Sequence, residues 1–376
     1  MRLTSVSIRD IGDRDVAAWN SFAARAASPY LTYDFACAVE DAREGVQVLI
    51  AEDGSGPQGY MAFERANGVA RPVGAPMSDH QGFASAAALT IDARRVLDAL
   101  NAGVFAYENW SGAGAPGRVR ERAGSTVIDV SEGGAAWFER ARPRSKDHFK
   151  KAERRLRRAE REFGPARIVF GDPDGARFET LKRWKSAQYR ATGKLDLFAL
   201  EWVETLTTRL AAARFGRLKS LVASLYLGDD LAAVEFGLVS EGVYHSWFPA
   251  YDARFAAVSP GLQLLHGVIQ ESAPLGLQRI DLGKSDGAYK KHYADFEVPL
   301  AQGRALAPGV TAAGVAAWET AEALARVLPG KLSTAPVKLR RRWAQTCAFE
   351  RCSRRRLALM GEAVAGAMSP EGRRAA

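Results

Sequence analysis

Apolar and polar positions fall into two series with the same internal order. In the second half, LKSLVASLYL (218 to 227) reads as a strand, Gly228-Asp229-Asp230 as a turn and LAAVEFGLV (231 to 239) as a second strand. Ser240-Glu241-Gly242 then turns the chain into a third, VYHSWFPAY (243 to 251), which makes an antiparallel meander. Behind it, Leu262, Leu265, Val268 and Ile269 recur at helical spacing and predict a helix from Pro260 or Gly261 to about Ser272. QRIDLG (278 to 283) and EVPLAQ (297 to 302) predict two further strands.

The first half repeats this order with different residues. VQVLIAED (46 to 53), YMAFERA (60 to 66) and VARPVGAP (69 to 76) predict a meander, about Ala86 to Leu100 a helix, and VFAYENW (104 to 110) and STVIDV (125 to 130) two strands. A duplicated α/β unit is expected. Between the copies, SKDHFKKAERRLRRAEREFG places Phe149, Ala152, Leu156, Ala159 and Phe163 three and four apart, a seam that packs along one side of a charged helix. The expected division is 1–135 for a first domain, 136–165 for a basic linker helix, 166–309 for a second domain and 310–376 for an Arg-rich helical tail.

Composition changes this picture in three respects. The net charge of +9 is concentrated: Glu139 to Arg161 carries +7 and Lys331 onward +8, so the remainder is acidic at −6. Basicity therefore belongs to two segments, and without a recognition motif beside them no DNA binding is expected. Cys37, Cys347 and Cys352 lack metal-ligand spacing, so neither a disulfide framework nor a metal is expected. No apolar run approaches the roughly 20 residues of a membrane span and no signal segment follows MRLTSVSIRD, so a cytoplasmic protein is expected, with peripheral attachment to the inner membrane left open.

The phrases YDARFAAVSPGLQLLHGVIQESAPLGLQRIDLG and GAYKKHY, with the basic linker helix, resemble the tandem-GNAT acyltransferases. That family includes the CelD-type proteins of exopolysaccharide gene clusters and is related to the Fem aminoacyl transferases. The nearest resemblance is to holdfast-polysaccharide N-acetyltransferases. The implied fold class is α/β, two tandem GNAT folds with a basic linking helix and a helical C-terminal tail. The implied activity is transfer of an acyl group, expected to be acetyl, from acyl-CoA to an amine of an exopolysaccharide, holdfast or envelope precursor, with acetyl-CoA as co-substrate. Fem-like transfer from aminoacyl-tRNA and a regulatory effector with a degenerate site are the alternatives.

The first N–H groups of a helix lack intrahelical partners and carry the positive end of its dipole, so a Gly-containing entry admits a phosphate. Arg254, Ser259, Pro260 and Gly261, followed by Leu262 and Gln263, form a thinned version of the family's Gln/Arg-x-x-Gly-x-Gly/Ala loop. An ordinary Ser N-cap with Pro in the first turn is the competing reading. SDHQGFASAAAL in the first copy does not look like such a loop, so the carrier is expected in the second.

Acyl transfer to an amine also requires a proton acceptor and donors aimed at the developing oxyanion. In GNAT enzymes a splayed strand supplies a backbone donor. Asp79, in GAPMSDHQGF, matches a functional Asp of the Fem enzymes and has His80 beside it. Glu235 interrupts an apolar strand and is the second candidate base; His245 and Trp247 on the next strand are candidates for contact with a sugar. Tyr289 and Lys290, in GKSDGAYKKHY, resemble a Gly-to-Tyr-Lys phrase of the family whose lysine is implied to stabilise negative charge. In the tail, Leu339, Trp343 and Cys347 lie four apart among arginines, a pattern suited to an anionic membrane surface. Arg351 and Arg355 are candidates for gripping a cyclic dinucleotide, and a solvated charged face is the bland alternative for the whole segment.

Overall fold

A computed structural model describes residues 1–325 except 27, 193, 213, 216, 285 and 286, together with scattered residues between 327 and 361. The chain runs β1 (Arg2–Ser7), α1 (Asp13–Ala26), α2 (Tyr33–Ala42), β2 (Val46–Asp53), β3 (Gly56–Ala66), β4 (Val69–Pro72) and β5 (Ala84–Ser85). It continues through α3 (Ala93–Leu100), β6 (Val104–Ser111), β7 (Arg118–Asp129), α4 (Gly134–Arg144), α5 (Lys146–Phe163) and β8 (Ala166–Phe170). Then come α6 (Ala176–Ala191), α7 (Glu201–Ala212), β9 (Arg214–Phe215), β10 (Leu218–Leu227), β11 (Asp230–Ser240) and β12 (Val243–Tyr251). α8 (Pro260–Gln270), β13 (Arg279–Asp281), β14 (Phe296–Leu306) and α9 (Val310–Ala325) follow.

Two compact units result, and neither is continuous in sequence. The first comprises Met1–Ala18, Gly45–Arg122 and Leu300–Ala376; the second comprises Trp19–Glu44 and Ala123–Pro299. The boundaries drawn at 135, 165 and 309 are linear, whereas these units interleave along the chain.

In the first unit, β1 pairs antiparallel with β2, and β2, β3 and β4 form the meander. β6 returns parallel to β4 after α3, the crossover that a helix makes possible. Leu49, Phe63, Val96, Leu97, Leu100, Phe105 and Trp110 close one core. The helix is shorter than the expected 86–100, because Asp92 caps it by accepting from the N–H groups of Arg94 and Arg95. The alanines before that cap instead follow β5, where the Ala86 N–H bonds the Gln58 carbonyl.

The second unit repeats the plan. β8 and β11 flank β10, β12 continues the meander, and β13 pairs parallel with β12 after α8. Leu264, Leu265, Val268 and Ile269 of α8 pack with Ala223, Leu225 and Ile280 in its core. On α5, Phe149, Ala152 and Ala159 are buried as the seam requires, while Phe163 at the end is exposed and edges Phe255.

The closing strands are exchanged relative to sequence order. β7, the last strand of the first copy, pairs antiparallel with β13 in the second unit through Val127, Ile128 and Asp129. β14, the last strand of the second copy, pairs antiparallel with β6 in the first unit from Leu300 to Leu306.

One glycine of the second sheet is fixed by close packing. A Cβ on Gly237 would lie 2.2 Å from the His245 carbonyl oxygen and 2.4 Å from the Tyr244 ring. Gly237→Ala is therefore expected to destabilise the protein by about 3 kcal/mol, the upper part of the usual range for overpacking. The denaturant midpoint measures this; an unchanged midpoint would contradict the packing described.

Candidate active site

β12 and β13 stay together only briefly. Val243, Tyr244 and His245 pair with Arg279, Ile280 and Asp281; β13 then ends, while β12 continues to Tyr251. The carboxyl end of a parallel pair that parts is where ligands of open α/β sheets bind. At the same point the β11–β12 register slips: Phe236 faces Phe248 and Gly237 faces Ser246, with Trp247 as the extra residue. A bulge of this kind turns backbone groups out of the ladder.

α8 starts beyond the carboxyl end of β12. Ser259 precedes it in the left-handed region at φ 55°, and its side chain makes no capping hydrogen bond, so the simple Ser N-cap reading is not what this turn shows. Pro260 has no N–H to offer, and the N–H groups of Leu262 and Gln263 return to the Ser259 carbonyl. Gly261 is thus the first helical residue with an N–H, and a Cβ placed on it would meet nothing within 4 Å. The entry is open to a ligand.

Two neighbours predicted to grip the carrier are engaged elsewhere. The Arg254 guanidinium pairs with Asp252 at 2.9 Å and Asp230 at 3.3 Å. The buried Gln263 amide donates to the Ala152 carbonyl, tying α8 to α5.

Beside the bulge lies a group of titratable residues. Glu235 is 3% exposed and accepts a 2.9 Å hydrogen bond from the Tyr244 hydroxyl, with a second from the Ser246 side chain. Burial raises its carboxyl above the ordinary value, opposed by those bonds and by His245 and Lys185. Lys185, on α6, is pushed down to about 8 by burial and then by the Lys194 charge, with Glu235 acting in the opposite direction. The Tyr289 hydroxyl is raised by burial and by Glu235, although the residue as a whole remains 41% exposed. A carboxyl held up and an ammonium held down suit proton transfer near neutral pH.

Of the predicted residues, this geometry brings together Glu235 and Tyr289. Lys185 was missed: in KRWKSAQYR it looks like one more basic position on a helix, and only the fold brings it within reach of the carboxylate's charge. His245 is fully buried, 3.7 Å from Asp281 and edge-on to Tyr30 at 4.9 Å. Trp247 belongs to an aromatic cluster with Tyr30, Phe236 and Phe248. Lys290 is not a surface charge: its ammonium is buried and donates to the carbonyls of Leu282 at 2.6 Å and Gly283 at 2.7 Å. Two of its three donors thus hold the chain where it leaves β13, a positioning task.

Asp79 and His80 lie in the first unit, in the loop after β4 that contains the cis Ala75–Pro76 peptide. Gln81 pins this loop by accepting from the N–H groups of Glu108 and Asn109. Asp79 is half-buried and His80 is 5% exposed. In the tail, Arg351 pairs at 2.6 Å with the buried Glu64 carboxylate on β3. Arg355 is exposed, and Arg340 and Arg341 lie outside the described residues.

Comparison with known proteins bears on this arrangement. A family model described as the acetyltransferase (GNAT) domain matches residues 146–291, which include the parted strands and the α8 entry. Among solved structures, the chain is similar to a conserved protein of unknown function from Bacteroides thetaiotaomicron VPI-5482, at 12% identity over 79% of this chain and 98% of that one, with a TM-score of 0.50. It is also similar to FemX, at 8% identity over 81% and 96%, TM-score 0.48. A tandem GNAT protein from the clavulanic acid biosynthesis pathway aligns at 9% identity over 82% and 99%, TM-score 0.44. At such identities the likeness concerns fold alone. None of the curated proteins matches the sequence. The fold is α/β, with a GNAT domain in the second unit and the same order of elements repeated in the first. Among the described residues no helix is long and apolar enough to cross a membrane.

The buried carboxyl makes a prediction about stability. Its folded pKa is raised, so the native state holds the proton more tightly than the unfolded chain, and stability falls as pH rises from the unfolded value through the folded one. Glu235→Gln removes this dependence. The variant is expected to melt higher than the parent at pH 8 and with it at pH 4; a lower melting temperature at pH 8 would show the charge to be stabilising.

Proposed function

We propose that the protein is an acyl-CoA-dependent N-acyltransferase whose carrier binds in the second unit. The observation that carries this reading is the conjunction of parted parallel strands with an open glycine at the start of the next helix, inside the segment that matches the GNAT model. The diphosphate of the carrier meets the N-terminal end of α8 at Gly261, where backbone donors and the helix dipole favour an anion. The thioester lies between the strand ends, where catalysis requires hydrogen-bond donors facing its carbonyl oxygen as negative charge develops there.

The acceptor amine attacks the carbonyl carbon; the C–N bond forms, the C–S bond breaks, and the thiolate departs. The attacking nitrogen must lose a proton. Glu235 or Lys185 takes it, directly or through water, and the proton finally balances the departing thiolate. Tyr289, half exposed and coupled to Glu235, faces the acceptor. Lys290 fixes the carbonyls of Leu282 and Gly283 where the chain leaves β13.

Acetyl is the proposed acyl group, and the amine of an amino sugar in an exopolysaccharide, holdfast or envelope precursor the proposed acceptor. The support for that acceptor is the sequence resemblance carried by YDARFAAVSPGLQLLHG and GAYKKHY. Transfer from aminoacyl-tRNA is the second reading, and release of free coenzyme A from acetyl-CoA in the presence of amino sugars separates the two.

Two measurements test the site. Gly261→Glu places a carboxylate at a helix N-terminus, which shifts folding stability by no more than about 1 kcal/mol and in the favourable direction. It is expected to weaken coenzyme A binding at least tenfold by calorimetry; undiminished binding would contradict the placement. For turnover, kcat/KM is expected to rise with pH along a limb near 8, the value of Lys185, and Lys185→Met should remove that limb. A limb that survives the substitution would assign the proton acceptor elsewhere.

A further inference from the structure

Within the first unit the described residues form a cleft of about 890 Å³, within the usual range for a small-molecule site. Strands β4 and β6, the end of β14, α9 and described residues of the tail line it. We propose that this cleft binds a single-chain amphiphile bearing a phosphate head group. Two independent properties of its wall lead there.

The first is charge. Among the described residues of its lining are four arginines, Arg71, Arg120, Arg304 and Arg356, and one carboxylate, Glu108. A guanidinium presents a planar fork that matches phosphate oxygens, and it loses less hydration than an ammonium on binding. Arg356 is held in place from behind, its guanidinium donating to the carbonyls of Glu350 and Cys347.

The second is an apolar surface that the described residues leave uncovered. Trp318, Leu339, Trp343 and Leu357 line the cleft, yet they are 37%, 43%, 43% and 66% exposed. Large apolar side chains gathered at one place and left open to solvent mark a binding surface. The tail that contributes them is anchored: Arg351 pairs with Glu64, and its carbonyl accepts from the Asn67 side chain. An alkyl chain covers the apolar part while its phosphate meets the arginines. A cyclic dinucleotide suits this wall less well, because base edges need several polar partners and most of the lining is hydrocarbon.

The test uses the full chain. Dodecyl phosphate, kept below its micelle concentration, is titrated in with tryptophan fluorescence and calorimetry as readouts, beside dodecanol, inorganic phosphate and cyclic diguanylate. The expected result is saturable binding of dodecyl phosphate at one site, at least tenfold tighter than the other three. The double substitution Arg71→Glu with Arg304→Glu should weaken it at least tenfold at an unchanged melting temperature. Should that variant fail to fold, Arg120→Gln is expected to weaken binding at least threefold. Absence of saturable binding, equal binding of dodecanol, tighter binding of the dinucleotide, or indifference to these substitutions would each overturn the proposal. Gly261→Glu should leave this binding unchanged, so failure here and failure of the transferase reading are distinguishable.

Discussion

The chemistry proposed for the second unit depends on two parallel strands that pair for three residues and then separate. Had β13 continued beside β12 past Asp281, the ladder would have closed over the backbone groups around Trp247. The separation is maintained from both sides. Gly283 turns the chain away with φ 73° and its N–H bonds the Asp281 carboxylate, while the Lys290 ammonium draws the Leu282 and Gly283 carbonyls together. On the other strand, Gly237 lets the Tyr244 ring lie against the sheet and reach Glu235. These contacts are individually ordinary, and together they hold an opening that hydrogen bonding alone would tend to close.

The same opening explains a charge arrangement that folding by itself does not favour. A buried carboxyl and a half-buried lysine both lose hydration, which costs more than an isolated hydrogen bond returns. Glu235 and Lys185 are tolerated because each partly offsets the other's burial and because Tyr244 and Ser246 hydrogen-bond the carboxyl. Groups poised in this way can exchange protons with a bound amine at modest cost.

Much of the fold was legible in the sequence. β10 and β12 fall on the residues expected of them, since alternating apolar positions bounded by Gly-Asp-Asp and Ser-Glu-Gly fix both length and register. α8 was equally clear. The helix expected from Ala86 was drawn too long because alanines raise helical propensity without starting a helix, and the cap that does so is Asp92. The exchange of β7 and β14 between the units leaves no local trace, since each strand carries the same pattern whichever sheet it completes. For the site, Gly261 and Glu235 stood out as exceptions to their surroundings, a glycine at a helix start and an acid in an apolar strand. Lys185 and the buried state of Lys290 did not, because a lysine's environment is decided by tertiary packing that spacing does not encode.

Whether a diphosphate is received at the head of α8 is the claim on which the functional account rests, and a crystal structure of the protein soaked with acetyl-CoA tests it most directly. The account predicts density for the diphosphate against the backbone of Gly261 and for the thioester between the ends of β12 and β13. A carrier bound elsewhere on the chain, or none at saturating concentration, would contradict it.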